Sequence, residues 1–198
     1  MKKAIQKYLL FVAVLVSMVS YPSNDSLLNG DKNIKVTFLK LENVKEGQQL
    51  LIKDANQVIL YKEDITESGE YKKGYDLTKL PNGDYYFELD KDIEIEVIPF
   101  SIANNTVSFD KDNKVTIFKP YVFAKKNTVI VSTLSLKASP LELSIYYENE
   151  GVMELIHNQQ ITNLVNIQKA YVLDYSEKGN YLFLIKTEGR TFKNYIKL

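Results

Sequence analysis

A pattern that occurs twice constrains this chain most. Gly83-Asp84-Tyr85-Tyr86-Phe87-Glu88-Leu89 and Gly179-Asn180-Tyr181-Leu182-Phe183-Leu184-Ile185 both read G-[DN]-Y-x-F-x-[LI], 96 residues apart. Tyr75-Asp76-Leu77 begins eight residues before the first copy and Tyr171-Val172-Leu173 eight residues before the second. Further upstream, Leu50-Leu51-Ile52 followed by Asn56 parallels Leu143-Ser144-Ile145 followed by Asn149 at an offset of 93, so a short insertion separates the two matches. A repeat of about 95 residues with about seven short strands is the size of an immunoglobulin-like sandwich.

The patterning inside each copy predicts strands. Apolar residues recur at a period of two in Ile34/Val36/Phe38, Tyr85/Phe87/Leu89 and Ile93/Ile95/Val97, in short runs broken by Gly, Asn, Asp or Pro. The 14 Tyr and 9 Phe, with many Val and Ile, suit strands better than helices. Glu150 to His157 fits one turn of helix, but Val152, Met153, Leu155 and Ile156 also suit a strand. The expected fold is all-β: two tandem Ig-like (fibronectin III-like) antiparallel β-sandwich units, at 21–113 and 114–198. The division falls after the turn signals Asn104-Asn105 and Asp110 to Asn113, with no linker between.

The repeated motif has a physical reading. In the first copy Leu80-Pro81-Asn82-Gly83 makes a turn: Pro fixes φ, and Asn or Gly accepts a left-handed conformation. Tyr85 and Phe87 then point to one face, toward a core. In immunoglobulin-like sandwiches a Tyr near the start of the sixth strand, two residues before a Cys, bonds its hydroxyl to backbone upstream. Tyr85 and Tyr181 are expected to form such corners, with Phe87 and Phe183 in the place of the Cys.

The N-terminus carries the marks of a secretory signal peptide over residues 1–20. Lys2, Lys3 and Lys7 precede the apolar run Tyr8 to Val19, short for a membrane span. Removing it leaves 22 basic and 25 acidic residues, a net charge of −3. Nucleic acid asks for a clearly basic surface and is not expected as a partner. The chain has no Cys, so it has neither disulfides nor thiolate metal sites, and its stability rests on core burial.

Leu51-Ile52-Lys53-Asp54-Ala55-Asn56-Gln57-Val58-Ile59-Leu60-Tyr61, then Tyr75-Asp76-Leu77 and Leu80-Pro81-Asn82-Gly83-Asp84-Tyr85, resembles the C-terminal sorting domain of type IX (Por) secretion cargo. That family shows a D-x-x-G-x-x-V-Y hairpin, a D-L-S-x-L-x-x-G-x-Y segment and a basic terminal strand. Here Gly179-Asn180-Tyr181, Gly189-Arg190 and the basic run Lys193 to Lys197 match in the second copy. Asn56-Gln57 stands where the family prefers Gly, the second hairpin (Tyr147 to Gly151) lacks the Asp, and no Asn-Pro opens the last unit. The resemblance implies a Gram-negative source, a periplasmic, cell-surface or secreted location, and a C-terminal unit recognised by type IX export machinery. Such a domain ordinarily follows a larger cargo domain, whereas here it follows another copy.

The candidates for chemistry are few. His157 is the only histidine, and no G-x-S-x-G elbow accompanies it. Glu88, Asp90, Asp92, Glu94 and Glu96 alternate around a hairpin turn at Asp90-Lys91-Asp92. Phe87, Leu89, Ile93, Ile95 and Val97 are then expected to face the core and the acids to line a solvated strand face, with a weak cation site as the sharper alternative. Tyr61, Tyr71, Tyr86, Tyr146, Tyr147 and Tyr175 fall near the outward phase of the strands, as half-buried cross-strand pairs or as a binding patch. No catalytic residue, cofactor or metal ligand is assigned. The expected function is that of an exported, non-enzymatic envelope or surface protein, a binding or structural module. Its expected partner is an envelope protein or glycan, and membrane contact is expected only through the signal peptide.

Overall fold

The computed structural model describes residues 36–110, 113–173 and 179–198. The proposed signal peptide lies outside them. Fifteen strands carry almost all of the regular structure: β1 (Thr37–Val44), β2 (Gln49–Asp54), β3 (Ile59–Asp64), β4 (Gly69–Tyr75), β5 (Gly83–Asp90), β6 (Glu94–Ala103), β7 (Thr106–Phe109), β8 (Val115–Phe118), β9 (Tyr121–Lys125), β10 (Thr128–Leu134), β11 (Leu141–Asn149), β12 (Val152–Ile161), β13 (Asn166–Val172), β14 (Asn180–Thr187) and β15 (Arg190–Lys197). One turn of 3-10 helix, Leu77–Lys79, joins β4 to β5; Asp76 caps it by accepting from the Thr78 amide. Glu150–His157 is not helical: β12 runs through it.

The chain forms two compact units, one of residues up to Asp90 with Ile98–Lys114, the other of Lys91–Val97 with Val115–Leu198. Lys91–Val97 goes with the second unit because Glu94–Val97 pair with β8, whereas Phe100–Ala103 pair with β7.

In the first unit β1 pairs with β4, and the facing sheet runs β3-β2-β5-β6-β7. In the second, β9-β10-β13 faces β12-β11-β14-β15. Pairing throughout is antiparallel where the register is resolved. Setting β1, β2, β3, β4 and β5 over β10, β11, β12, β13 and β14 reproduces the same pairings, and this is the strand order of a fibronectin III-like sandwich. The sequence repeat is therefore a repeat of folding units.

Each core is a slab of alternate residues from two sheets. The first collects Leu39, Leu41, Leu50, Ile52, Tyr85, Phe87 and Leu89; the second Val129, Val131, Leu143, Ile145, Tyr181, Phe183 and Ile185. Phe87 sits centrally, 5.0 Å from the Phe100 ring and 5.3 Å from that of Tyr75. The β6–β7 hairpin closes through Asn104 and Asn105, at φ 49° and 57°, the left-handed pair that a two-residue turn requires.

Val36 and Phe38 lie on the outer side of the first unit, over Gly74, and the buried phase of β1 is Leu39, Leu41 and Val44. Two expectations of facing are corrected. Ile93 is 71% exposed, because it falls in the turn between β5 and β6 rather than in a strand. Glu88 is only 2% exposed. It does not line a solvated face: the Lys53 ammonium donates to it at 2.6 Å across β2 and β5.

Candidate functional site

In each sandwich the gap between the third and fourth strands, which belong to opposite sheets, forms a mouth. The two mouths are built on the same positions and filled differently.

In the first unit the mouth lies between β3 and β4, and the Glu63 carboxylate occupies it. Tyr61 donates to Glu63 Oε2 at 2.6 Å and Tyr75 to Oε1 at 2.9 Å; Tyr71 and the Lys73 ammonium also bond to it. The Tyr71 and Tyr75 hydroxyls lie 2.5 Å apart, and Lys73 donates to the Tyr61 hydroxyl at 3.0 Å. Alternation puts Tyr71, Lys73 and Tyr75 on one side of β4, and Tyr61 and Glu63 on the facing side of β3. Burial pushes the Glu63 carboxyl up, but the bonds from Lys73 and the three tyrosines outweigh it and hold the group below the usual carboxylate range. Burial, then Glu63, pushes the Tyr71 phenol far up; burial, then Tyr71, does the same to Tyr75. The tyrosines are neutral donors around a fixed anion, and the mouth is closed.

In the second unit the equivalents of Tyr61, Glu63, Tyr71 and Tyr75 are His157, Gln159, Ile167 and Tyr171. The correspondence follows from the register: Tyr61 is opposite Ile52 as His157 is opposite Ile145, and Thr37 is opposite Tyr75 as Val129 is opposite Tyr171. Two contacts survive. The Tyr171 hydroxyl donates to Gln159 Oε1 at 2.9 Å, and the His157 and Tyr171 rings lie 5.4 Å apart, against 5.8 Å for Tyr61 and Tyr75. The carboxylate is lost, and an open cavity of about 400 Å³ lies beside His157 and Tyr171, lined also by Ile145, Ile156, Leu173 and Tyr181 among others; Gln159 and Ile167 do not line it.

The strand that borders this mouth is the most exposed long strand of the structure. β12 has ten residues and pairs only with β11 among the described residues. Val152 is 62% exposed, Met153 40%, Leu155 54% and Ile156 46%. A bulge causes part of this: Ile145 is opposite His157 and the next residue, Tyr146, opposite Leu155, so Ile156 is extra and the strand is bent. An unpaired edge with apolar residues on both faces is an interaction surface by default.

The acids named from the sequence do not form a metal site. Lys91 bonds Glu96 and, at 3.3 Å, Glu94, so a cation of the chain itself sits among them. No group of three or more His, Cys, Asp or Glu able to hold a metal occurs among the described residues. His157 is exposed, in the middle of β12. Tyr61 and Tyr71 are not an outward patch but close the first mouth, and Tyr147 packs 5.1 Å from Tyr181 on the second core. Tyr86 and Tyr146 are half-buried, and Tyr175 lies outside the described residues. Sequence reasoning missed Glu63, which one acid in an alternating run does not announce.

No protein-family model matches the chain, and no curated protein sequence matches it significantly. Solved structures with some likeness include the chicken interferon gamma receptor alpha chain, at 10% identity and a TM-score of 0.30, over 82% of this chain and 92% of that one. Another is Escherichia coli alpha-2-macroglobulin, domains MG0-NIE-MG1, at 13% and 0.27, over 82% and 58%. A third is the chicken CNTN1 FN1–FN3 domains, at 10% and 0.26, over 85% and 65%. In the last two, this chain spans less than two thirds of the other's length. Overlap at this level carries no functional argument; the strand order alone makes each unit an Ig-like, fibronectin III-like sandwich.

Proposed function

We propose that the chain is an exported, non-enzymatic binding or structural module whose working surface is the β12 edge. The observation that carries this reading is the ten-residue strand with Val152, Met153, Leu155 and Ile156 exposed and one edge unpaired among the described residues. An exposed sheet edge takes an added strand through main-chain hydrogen bonds, and neighbouring pockets add selectivity. The proposal of export rests on Lys2, Lys3 and Lys7 ahead of the apolar run Tyr8 to Val19. The test is capture from envelope extract by the tagged protein, with Ile156→Lys and, on the opposite edge strand, Tyr195→Lys. The reading expects a species retained by wild type and Tyr195→Lys and lost with Ile156→Lys. Equal capture by all three, or none by any, overturns it.

One observation favours a second reading, a secretion-linked module recognised through the second unit. β15 is an edge strand on which Lys193, Tyr195 and Lys197 are exposed, a basic strand of the sorting-domain kind. Fusing residues 91–198, which include the whole second unit, to a neutral exported reporter separates the two readings: surface delivery supports sorting, and periplasmic retention supports the β12 surface alone.

A further inference from the structure

We propose that a second copy of this chain pairs with the β12 edge, antiparallel and about a two-fold axis between Ile156 and His157. The inference rests on the reading of β12 as the working surface and names its occupant.

The bulge is what makes the strand self-complementary. A two-fold axis perpendicular to a sheet keeps every side chain on its own face, so residues opposite one another must come from the same face of β12. An unbroken strand meets this condition only when the residue numbers of each pair add to an even number. In β12 the register with β11 puts Val152, Glu154, His157, Gln159 and Ile161 on the core side and Met153, Leu155, Asn158 and Gln160 on the outer side. The phase changes at Ile156. Pairing about the Ile156–His157 step then matches Val152 with Ile161 and Glu154 with Gln159 on one face, and Met153 with Gln160 and Leu155 with Asn158 on the other. All ten residues are used and no face is crossed.

Charge agrees with this register. Glu154 is the only carboxylate of β12, and no Lys or Arg occurs in it, so the pairing opposes no like charges. The chain supplies its own comparison in β3, the equivalent strand of the first unit. That strand has six residues, Ile59-Leu60-Tyr61-Lys62-Glu63-Asp64; Lys62 and Asp64 are exposed, and Glu63 is held by β4. Short length and edge charges are the devices that keep sheet edges apart. β3 has both, whereas β12 is ten residues long and carries a single carboxylate, Glu154. The pair would form one sheet in the order β15-β14-β11-β12-β12-β11-β14-β15.

Sedimentation equilibrium of the full chain, as the expressing cell processes it, tests this over a concentration series. The chain has no Cys, so a single introduced one reports position. Wild type is expected to be a dimer that Ile156→Lys converts to monomer, with an unchanged circular dichroism spectrum. His157→Cys is expected to cross-link between copies under mild oxidation, and Tyr195→Cys is not. A monomer at every concentration overturns the proposal, as does a dimer indifferent to Ile156→Lys and not linked through position 157. If wild type is monomeric and still captures an envelope species that Ile156→Lys loses, this inference fails and the proposed function stands. If wild type is dimeric through β12 and captures nothing further, the edge is an assembly surface and the inference stands.

Discussion

The Tyr85 hydroxyl donates to the carbonyl oxygen of Pro81 across 2.8 Å, four residues upstream, while the Tyr85 ring stacks on Phe100 at 5.4 Å. One side chain thus fixes the turn and fills the core. Tyr85→Phe should keep the ring and lose the bond, at a cost of about 0.5–1.5 kcal/mol. Tyr85→Ala and Tyr181→Ala should each cost about 3–5 kcal/mol, as a large ring removed from a core does. Denaturant midpoints of the three variants check this. An unshifted midpoint in both alanine variants would remove the corner assignment.

Acid should destabilise the protein through Glu63. Its folded-state value lies below the ordinary 4.5, so the unfolded chain takes up the proton first. The contribution is complete above pH 4.5 and is lost as the pH falls through the folded value. Glu63→Gln should be less stable than wild type by about 1–3 kcal/mol at neutral pH. The two stability curves should converge in acid. Parallel curves from neutral to acid pH would contradict the account.

Alkali should act on the same cluster with the opposite sign. Tyr71 and Tyr75 lie above the ordinary phenol value of 10.0, so their contribution is full below pH 10.0 and declines as the pH climbs past it. Titration by phenolate absorbance should leave these two neutral until the fold opens. Tyr75→Phe should soften the alkaline loss of stability. Complete ionisation of all tyrosines in a still-folded protein would contradict it.

The buried pair between Lys53 and Glu88, 2.6 Å apart, should tolerate truncation of one partner less well than replacement of both. Lys53→Ala strips the cation from a carboxylate that is 2% exposed and should cost about 3–5 kcal/mol. Lys53→Met with Glu88→Leu should cost much less, because no charge is left buried. The single variants Lys53→Met and Glu88→Leu complete a double-mutant cycle with the double variant. A double loss equal to the sum of the two single losses would mean that the pair is not coupled.

The all-β class and the repeat were legible because alternation and a twice-used motif are local signals: Tyr85, Phe87 and Leu89 needed only their own order to be placed in the core. What stayed hidden was set across strands. Glu88 follows the same alternation as Glu94 and Glu96, and only the register of β2 with β5 brings Lys53 to it. Val36 and Phe38 alternate as well as Leu39 and Leu41 do, and the sheet facing β1 decides which pair is inside. The Glu63 cluster joins residues from two sheets, which no spacing along one strand encodes. The exposure of β12 depends on a bulge, and a bulge leaves the composition of its strand unchanged.

Phe87 and Phe183 fill the centres of their sandwiches with hydrocarbon, in a chain that contains no sulfhydryl group. Neither core therefore waits for an oxidant to close a covalent tie, and no reductant can reopen one. Folding asks for no thiol oxidase and no isomerase to correct wrong pairings. The sandwich should form at the same rate and melt at the same temperature in dithiothreitol as in air, on whichever side of a membrane it happens to fold.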